Sequence, residues 1–205
     1  MHESDFATKY EYLLHTTTQE NLERIRSVRR IESASTLMRA ADPAVALALH
    51  RTRRQGPHPL TVSGVKITLR DQLPLHEGHT KWESGWAMPR FVELLNSLVF
   101  FWSGSSLGLS FAKTHLRHYP GDPVLRVRTA SMFEKARPMF ASSNSGAPRT
   151  HPVEGSGVRG GSTFVPADQF PRPPGKVAEV VFENHAPLPD DVEVGSSITG
   201  PWRAL

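Results

Sequence analysis

The chain has 205 residues, of which 38% are hydrophobic and 21% charged, enough for one medium-sized domain with a buried core and too apolar for a disordered chain. Its net charge is +4, which permits an anionic partner without requiring one, and it has no cysteine, which excludes disulfide scaffolds and thiolate chemistry. No apolar run reaches bilayer-spanning length and "MHESDFATKY" lacks the basic-then-apolar layout of a signal peptide, so the expected setting is cytoplasmic, without membrane or export.

In chain order, Tyr12–Leu14 reads as the end of an apolar strand, and "TTTQENLERIRSVRR" reads as a helix. Thr17 and Glu20 have capping-box spacing, and Leu22, Ile25 and Val28 recur on one face. A second helical stretch covers "ASTLMRAADPAVALALHR", with Pro43 either starting a new helix or kinking the first. "GPHPL" breaks the pattern, and "TVSGVKITLR" alternates as a strand, with Val65, Ile67 and Leu69 on one side and Lys66, Thr68 and Arg70 on the other. "PRFVELLNS" is a short amphipathic helix leading into "LVFFW", a strand apolar on both faces. "VLRVRTA" is a further strand with two arginines on one side. Residues 141–175 are rich in Ser, Gly and Pro, and a connection that long is either functional or disordered. "KVAEVVFE" is the last clear strand, and the tail has room for one short element. No repeat and no second domain is evident over 1–205, and the mixture of helices and strands predicts an α+β fold.

Several side chains are candidates for chemistry, each with a plainer alternative. In "KVAEVVFE" alternation sets Glu179 between Val177 and Val181, either as an acid on a half-exposed outer face or as a carboxylate lining a pocket at a strand end. Arg70 ends its strand, where it either pairs with Asp71 or another surface acid or holds a phosphate through its planar fork. His15 stands between a strand end and a helix start. There it either bonds to backbone or borders the free amides of the helix terminus, a suitable place for a polar or anionic ligand. Phe100, Phe101 and Trp102 are core aromatics or, at the strand's exit, a flat wall for a heteroaromatic ring. Basic runs at 24–30, 50–54 and 125–128 are solvated faces or phosphate contacts. "GSGVRGG" follows no strand and opens no helix, "HEGH" is a poor match to zinc spacings, and no serine sits in a nucleophile elbow.

Taken as an ordered set, "LLHTT" with its helix, "ITLRDQLPL", "LVFFW", the Gly/Ser-rich loop and "GKVAEVVFE" resemble the ADP-ribosyltransferase superfamily. Within it the chain is similar to DarT-type toxins, which modify bases in single-stranded DNA, and to an uncharacterised group of bacterial domains sharing "LRDQ-PL", "FFW" and "NSGA". The likeness spans 10–192. His15 and Thr17 match the opening His-x-Thr, Arg70 falls where the toxins carry a functional arginine, "SSNSGA" at 142–147 resembles an Asn-containing turn, and Glu179 takes the catalytic glutamate's position. The aromatic strand departs from the toxins' proline-bracketed Tyr-Phe run, and the segment between His15 and Arg70 is longer, which bears on the acceptor more than on the fold.

The resemblance implies two packed, mostly antiparallel sheets forming an NAD cleft flanked by helices, with NAD consumed as a substrate and no metal. It implies Glu179 and Arg70 as catalytic residues, His15 and Thr17 as NAD contacts, and Phe101 or Trp102 stacked on the nicotinamide ring. The acceptor would be nucleic acid, single-stranded DNA or RNA, met by Arg51, Arg53, Arg54, Arg149 and Arg159 and by a flexible, net-positive loop at 141–175. A toxin or phage-defence role with an antitoxin or ADP-ribosyl hydrolase partner follows by analogy. The alternatives are a protein or terminal RNA phosphate as acceptor, or a non-catalytic nucleic-acid-binding module that has no use for Glu179 in a cleft.

Overall fold

A computed structural model describes residues 3–147 and 158–205. The chain runs α1 (Glu3–Lys9), β1 (Tyr12–Thr16), α2 (Gln19–Val28), β2 (Arg30–Glu32), α3 (Ala34–Ala41), α4 (Pro43–Leu49), β3 (His58–Val62), β4 (Val65–Leu69) and β5 (Lys81–Trp82). It continues through α5 (Met88–Asn96), β6 (Leu98–Trp102), α6 (Ser106–His118), β7 (Val124–Arg128), α7 (Thr129–Lys135) and β8 (Met139–Ala141). The last strands are β9 (Val158–Arg159), β10 (Val165–Pro166), β11 (Glu179–Glu183), β12 (His185–Pro187), β13 (Glu193–Gly195) and β14 (Trp202–Ala204). The fold is α+β, as the mixture of patterns predicts.

Eight strands form one antiparallel sheet in the order β10-β8-β11-β6-β1-β7-β13-β14, and three two-stranded ribbons accompany it. Its bonding is uneven. β1 and β7 are paired through five positions and β11 and β6 through five, whereas β1 and β6 share only Leu14 opposite Trp102. The sheet is therefore two halves meeting at a narrow seam. On one face Leu13, Phe101, Leu125, Val127, Val180 and Phe182 pack with Phe6 of α1, Leu22 and Ile25 of α2, and Met132 of α7. On the other, Leu98, Ala141 and Val181 pack with Phe91, Val92 and Leu95 of α5 and with Phe164. Leu37 and Met38 of α3 form a smaller core with Leu60, Val62, Ile67 and Leu69.

Several local expectations change. The cap of α2 is Thr18, whose hydroxyl accepts the Asn21 amide at 3.2 Å; Thr17 is buried one residue earlier and gives its own amide to the Pro123 carbonyl. Pro43 starts a separate helix, capped by the Asp42 carboxylate on the Ala44 amide at 2.7 Å. The stretch read as one strand at 61–70 is a hairpin turning at Ser63 and Gly64, both with positive φ of 51° and 80°, the backbone a tight two-residue turn needs. Helices α1, α6 and α7 were not foreseen. The expected long flexible loop is corrected over 158–175, where Phe164, Ala167 and Phe170 are buried in the cores and anchor short turns. Among the described residues no helix is long and apolar enough to cross a membrane.

Candidate active site

The register of the sheet sets Ala141, Glu179, Trp102 and Leu14 side by side, so their side chains share one face. Glu179 begins β11 and is 5% exposed, which removes the reading of an outer-face acid; Glu183, at the other end of the strand, is the exposed one. The Ser145 amide donates to Glu179 Oε2 at 3.1 Å, and Arg159 lies close enough to act on the carboxylate electrostatically. The Ser145 hydroxyl also faces the carboxylate and favours its anion, although it completes no well-formed hydrogen bond. Burial outweighs all three and pushes the Glu179 carboxyl up to about 7. A group poised there can exchange a proton near neutrality.

His15 lies at the seam, on the β1 side. Its Nδ1 is 2.7 Å from the Phe100 carbonyl oxygen on β6, and since a carbonyl only accepts, Nδ1 carries the proton and Nε2 is left as an acceptor. The imidazole bridges the two half-sheets where their backbone ladder has parted. Burial drives its pKa down to about 4 against a smaller upward pull from that carbonyl, so the ring is neutral at physiological pH. His115 and Asp122 both contribute to its field.

Of these two, Asp122 also pairs with Arg70. Leaving β4, Arg70 forms an ion pair through Nη2 with Asp122 Oδ1 and lies over the Tyr119 ring, 4.4 Å from its centroid. His115 Nε2 is 3.8 Å from Asp122 Oδ2, and the His115 ring contacts both Trp102 at 5.1 Å and Tyr119 at 4.7 Å. Tyr119 donates its hydroxyl to Asp71 at 2.7 Å, and burial together with that carboxylate pushes its pKa up to about 12. Arg70, Asp122, His115 and Trp102 thus run in contact toward the strand that faces Glu179. Among the described residues, the buried side-chain polar atoms without a hydrogen-bond partner are Arg70 Nε, Asp122 Oδ2 and Ser145 Oγ. All three belong to this site, and each costs about 1–3 kcal/mol where folding alone is served.

His115, Tyr119, Asp122 and Ser145 were not among the sequence candidates. Of the residues that were, Phe101 is corrected: it is 1% exposed, packed edge-on against Phe182 and beside His15 in the core, leaving Trp102 as the aromatic beside Glu179. Of the arginines expected to meet nucleic acid, two are buried in the fold. Arg54 is buried and donates to Asn96 Oδ1 and the Arg70 carbonyl, both at 2.7 Å. Arg51 pairs with Glu93 at 2.7 Å in a surface ion pair and stays exposed, and Arg53 donates to the Gln72 and Leu73 carbonyls while remaining partly accessible. Arg159 is buried next to Glu179 instead of exposed on the loop, and Arg149 lies outside the described residues. Open cavities of about 540 Å³ beside α6 and about 380 Å³ beside Trp202 are lined by neither Glu179, His15 nor Arg70. No cluster of three or more His, Asp or Glu side chains among the described residues is arranged to hold a metal ion.

Residues 11–192 match a family described as a family of unknown function, DUF7002. The chain belongs to the DUF7002 family. No curated protein and no solved structure matches it. The DUF7002 match takes in the seam, Glu179, Arg70 and the Asp122–His115 cluster, and it stops short of β13 and β14.

Proposed function

We propose that this DUF7002 protein is an NAD-dependent ADP-ribosyltransferase with an ADP-ribosyltransferase-like fold, whose acceptor is a nucleic acid, single-stranded DNA or RNA. The observation that carries the reading is Glu179: a carboxylate buried at the start of a central strand, capped by a backbone amide and held near neutrality, in a site that also contains unpartnered polar atoms. The two packed sheets that the resemblance implies are here one eight-stranded antiparallel sheet, whose two halves share only the Leu14–Trp102 pair at the seam.

In this reading the glycosidic bond between nicotinamide and the ribose C1′ of NAD breaks, nicotinamide departs with the bonding electrons, and an acceptor nucleophile bonds to C1′ and gives up a proton. Positive charge gathers on the ribose in the transition state, and the Glu179 anion stabilises it and accepts a hydrogen bond from a ribose hydroxyl. When the acceptor bonds, the same carboxylate is placed to take its proton. Trp102 stacks on the nicotinamide ring, and neutral His15, which alternation along β1 turns to the Phe101 side of the seam, offers Nε2 as an acceptor from there. Arg70 meets the pyrophosphate or the acceptor through the edge that Asp122 leaves unused. Because Arg54 and Arg159 serve the fold, the acceptor would be met by Arg51, Arg53, Arg149 and the surface's net positive charge. By analogy with DarT-type toxins the protein would act as a toxin or phage-defence effector countered by an antitoxin or hydrolase.

The test is to incubate the protein with labelled NAD and separate pools of single-stranded DNA, RNA and protein. Label on nucleic acid, lost in Glu179→Gln, is the expected result. Label on protein alone would move the acceptor to protein, and no label on any pool would remove the enzymatic reading in favour of a binding module.

A further inference from the structure

We infer that Arg159 is a positioning residue for Glu179: its guanidinium pins the 142–147 turn so that the Ser145 amide stays closed over the carboxylate. Arg159 is 3% exposed, and its Nη2 donates to the Asn144 carbonyl at 3.0 Å while Nε donates to the Ser145 carbonyl at 3.2 Å. The Asn144 carbonyl and the Ser145 N–H belong to one planar peptide unit and point to opposite sides of it. That plate is therefore held at both edges, by Arg159 through its oxygen and by Glu179 through its N–H at 3.1 Å. Rotating it to release one contact breaks the other. A rigid planar fork that holds two successive carbonyls in fixed geometry is a property of guanidinium; an ammonium group has three donors but no such plane.

The base of the fork is fixed as well. Glu83 takes a backbone bond from its own N–H to the Arg159 carbonyl at 3.0 Å, and its carboxylate accepts the Ser162 amide at 3.2 Å. A Cβ on Gly160 would lie 2.7 Å from the Glu83 Cβ, so a side chain after Arg159 would push the Glu83 backbone away. Around the carboxylate, β6 and β8 present Trp102 and Ala141, which carry no charge, and the turn presents Ser145. Arg159 on β9 is the charged group among the described residues that acts on Glu179. Its role is thus twofold: it orients the amide that caps Glu179 and opposes the tendency of burial to neutralise the carboxylate.

The inference rests on the functional reading only for what Glu179 does; the contact itself is tested by titration. With side-chain carboxyl ¹³C-labelled glutamate, the Glu179 carbon should titrate near 7 in the wild-type protein, and the ¹⁵N shift of the Ser145 amide should follow with the same midpoint. Arg159→Gln should move the midpoint up by at least about one pH unit, and Arg159→Lys by less, since it keeps the charge and loses the fork. An unchanged midpoint in either folded variant, or a wild-type Ser145 amide indifferent to the titration, would overturn the inference. Should a variant fail to fold, the wild-type amide still decides. Absence of NAD cleavage alongside the expected titration would remove the enzymatic reading and leave this one standing.

Discussion

Replacing Glu179 by glutamine separates the cost of a buried charge from the fold around it. The carboxyl ordinarily titrates at 4.5 and is pushed up to about 7 in the folded protein, so between these values the native state holds a proton that the unfolded chain has released. Stability then falls as pH rises from 4.5 and levels off above 7, the opposite of a salt-bridged acid. At about 1.4 kcal/mol for each pH unit, that interval amounts to about 3 kcal/mol of native-state cost in alkaline solution. Glutamine resembles the protonated acid and its oxygen can still accept the Ser145 amide, so Glu179→Gln should match the wild type near pH 4.5 and exceed it by up to about 3 kcal/mol above pH 8. Urea unfolding followed by tryptophan fluorescence at several pH values measures the difference. A variant less stable than the wild type in alkaline solution would refute the reasoning, because it would mean that the anion contributes stability.

His15 has the reverse sign: held at about 4 against an ordinary 6.5, it contributes stability that is complete above 6.5 and lost as pH falls through 4, and its imidazole NMR shifts should stay flat between about pH 8 and pH 5.5. Phe101→Ala should cost about 3–5 kcal/mol in urea unfolding, as expected of a fully buried ring, and Trp102→Ala should cost clearly less. A Cβ on Gly108 would lie 2.3 Å from the Ser103 carbonyl oxygen and 2.6 Å from its hydroxyl, which holds the Val177 carbonyl two residues before Glu179. Gly108→Ala should therefore lower the urea midpoint by the equivalent of about 1–3 kcal/mol.

How much was legible depended on whether a feature is local. β6, β7 and β11 announce themselves because an apolar run or a clean alternation survives in the sequence, and Pro43 after an aspartate marks a new helix start. The β3–β4 hairpin was also written locally: apolar positions fall out of phase between Val62 and Val65, and Ser-Gly lies between them. Alternation on either side hid that break. α6 was missed because its first turns are Ser, Gly and Leu with little polar contrast, and its cap, Ser105, is one serine among several. His115, Tyr119 and Asp122 matter only because α6 delivers them against Arg70 and Trp102, a tertiary event with no local signature. The basic run at 50–54 divides for the same reason: Arg54 is drawn inside by Asn96 on α5, more than forty residues away, whereas Arg51 pairs with Glu93 of the same helix and stays exposed.

Nicotinamide release from NAD by the wild type and by folded Glu179→Gln, in the presence of nucleic-acid acceptor, tests the central claim most directly. Release by the wild type that disappears in the variant is the predicted result. Release undiminished by the substitution, or absent from the well-folded wild type with every acceptor pool, would contradict it.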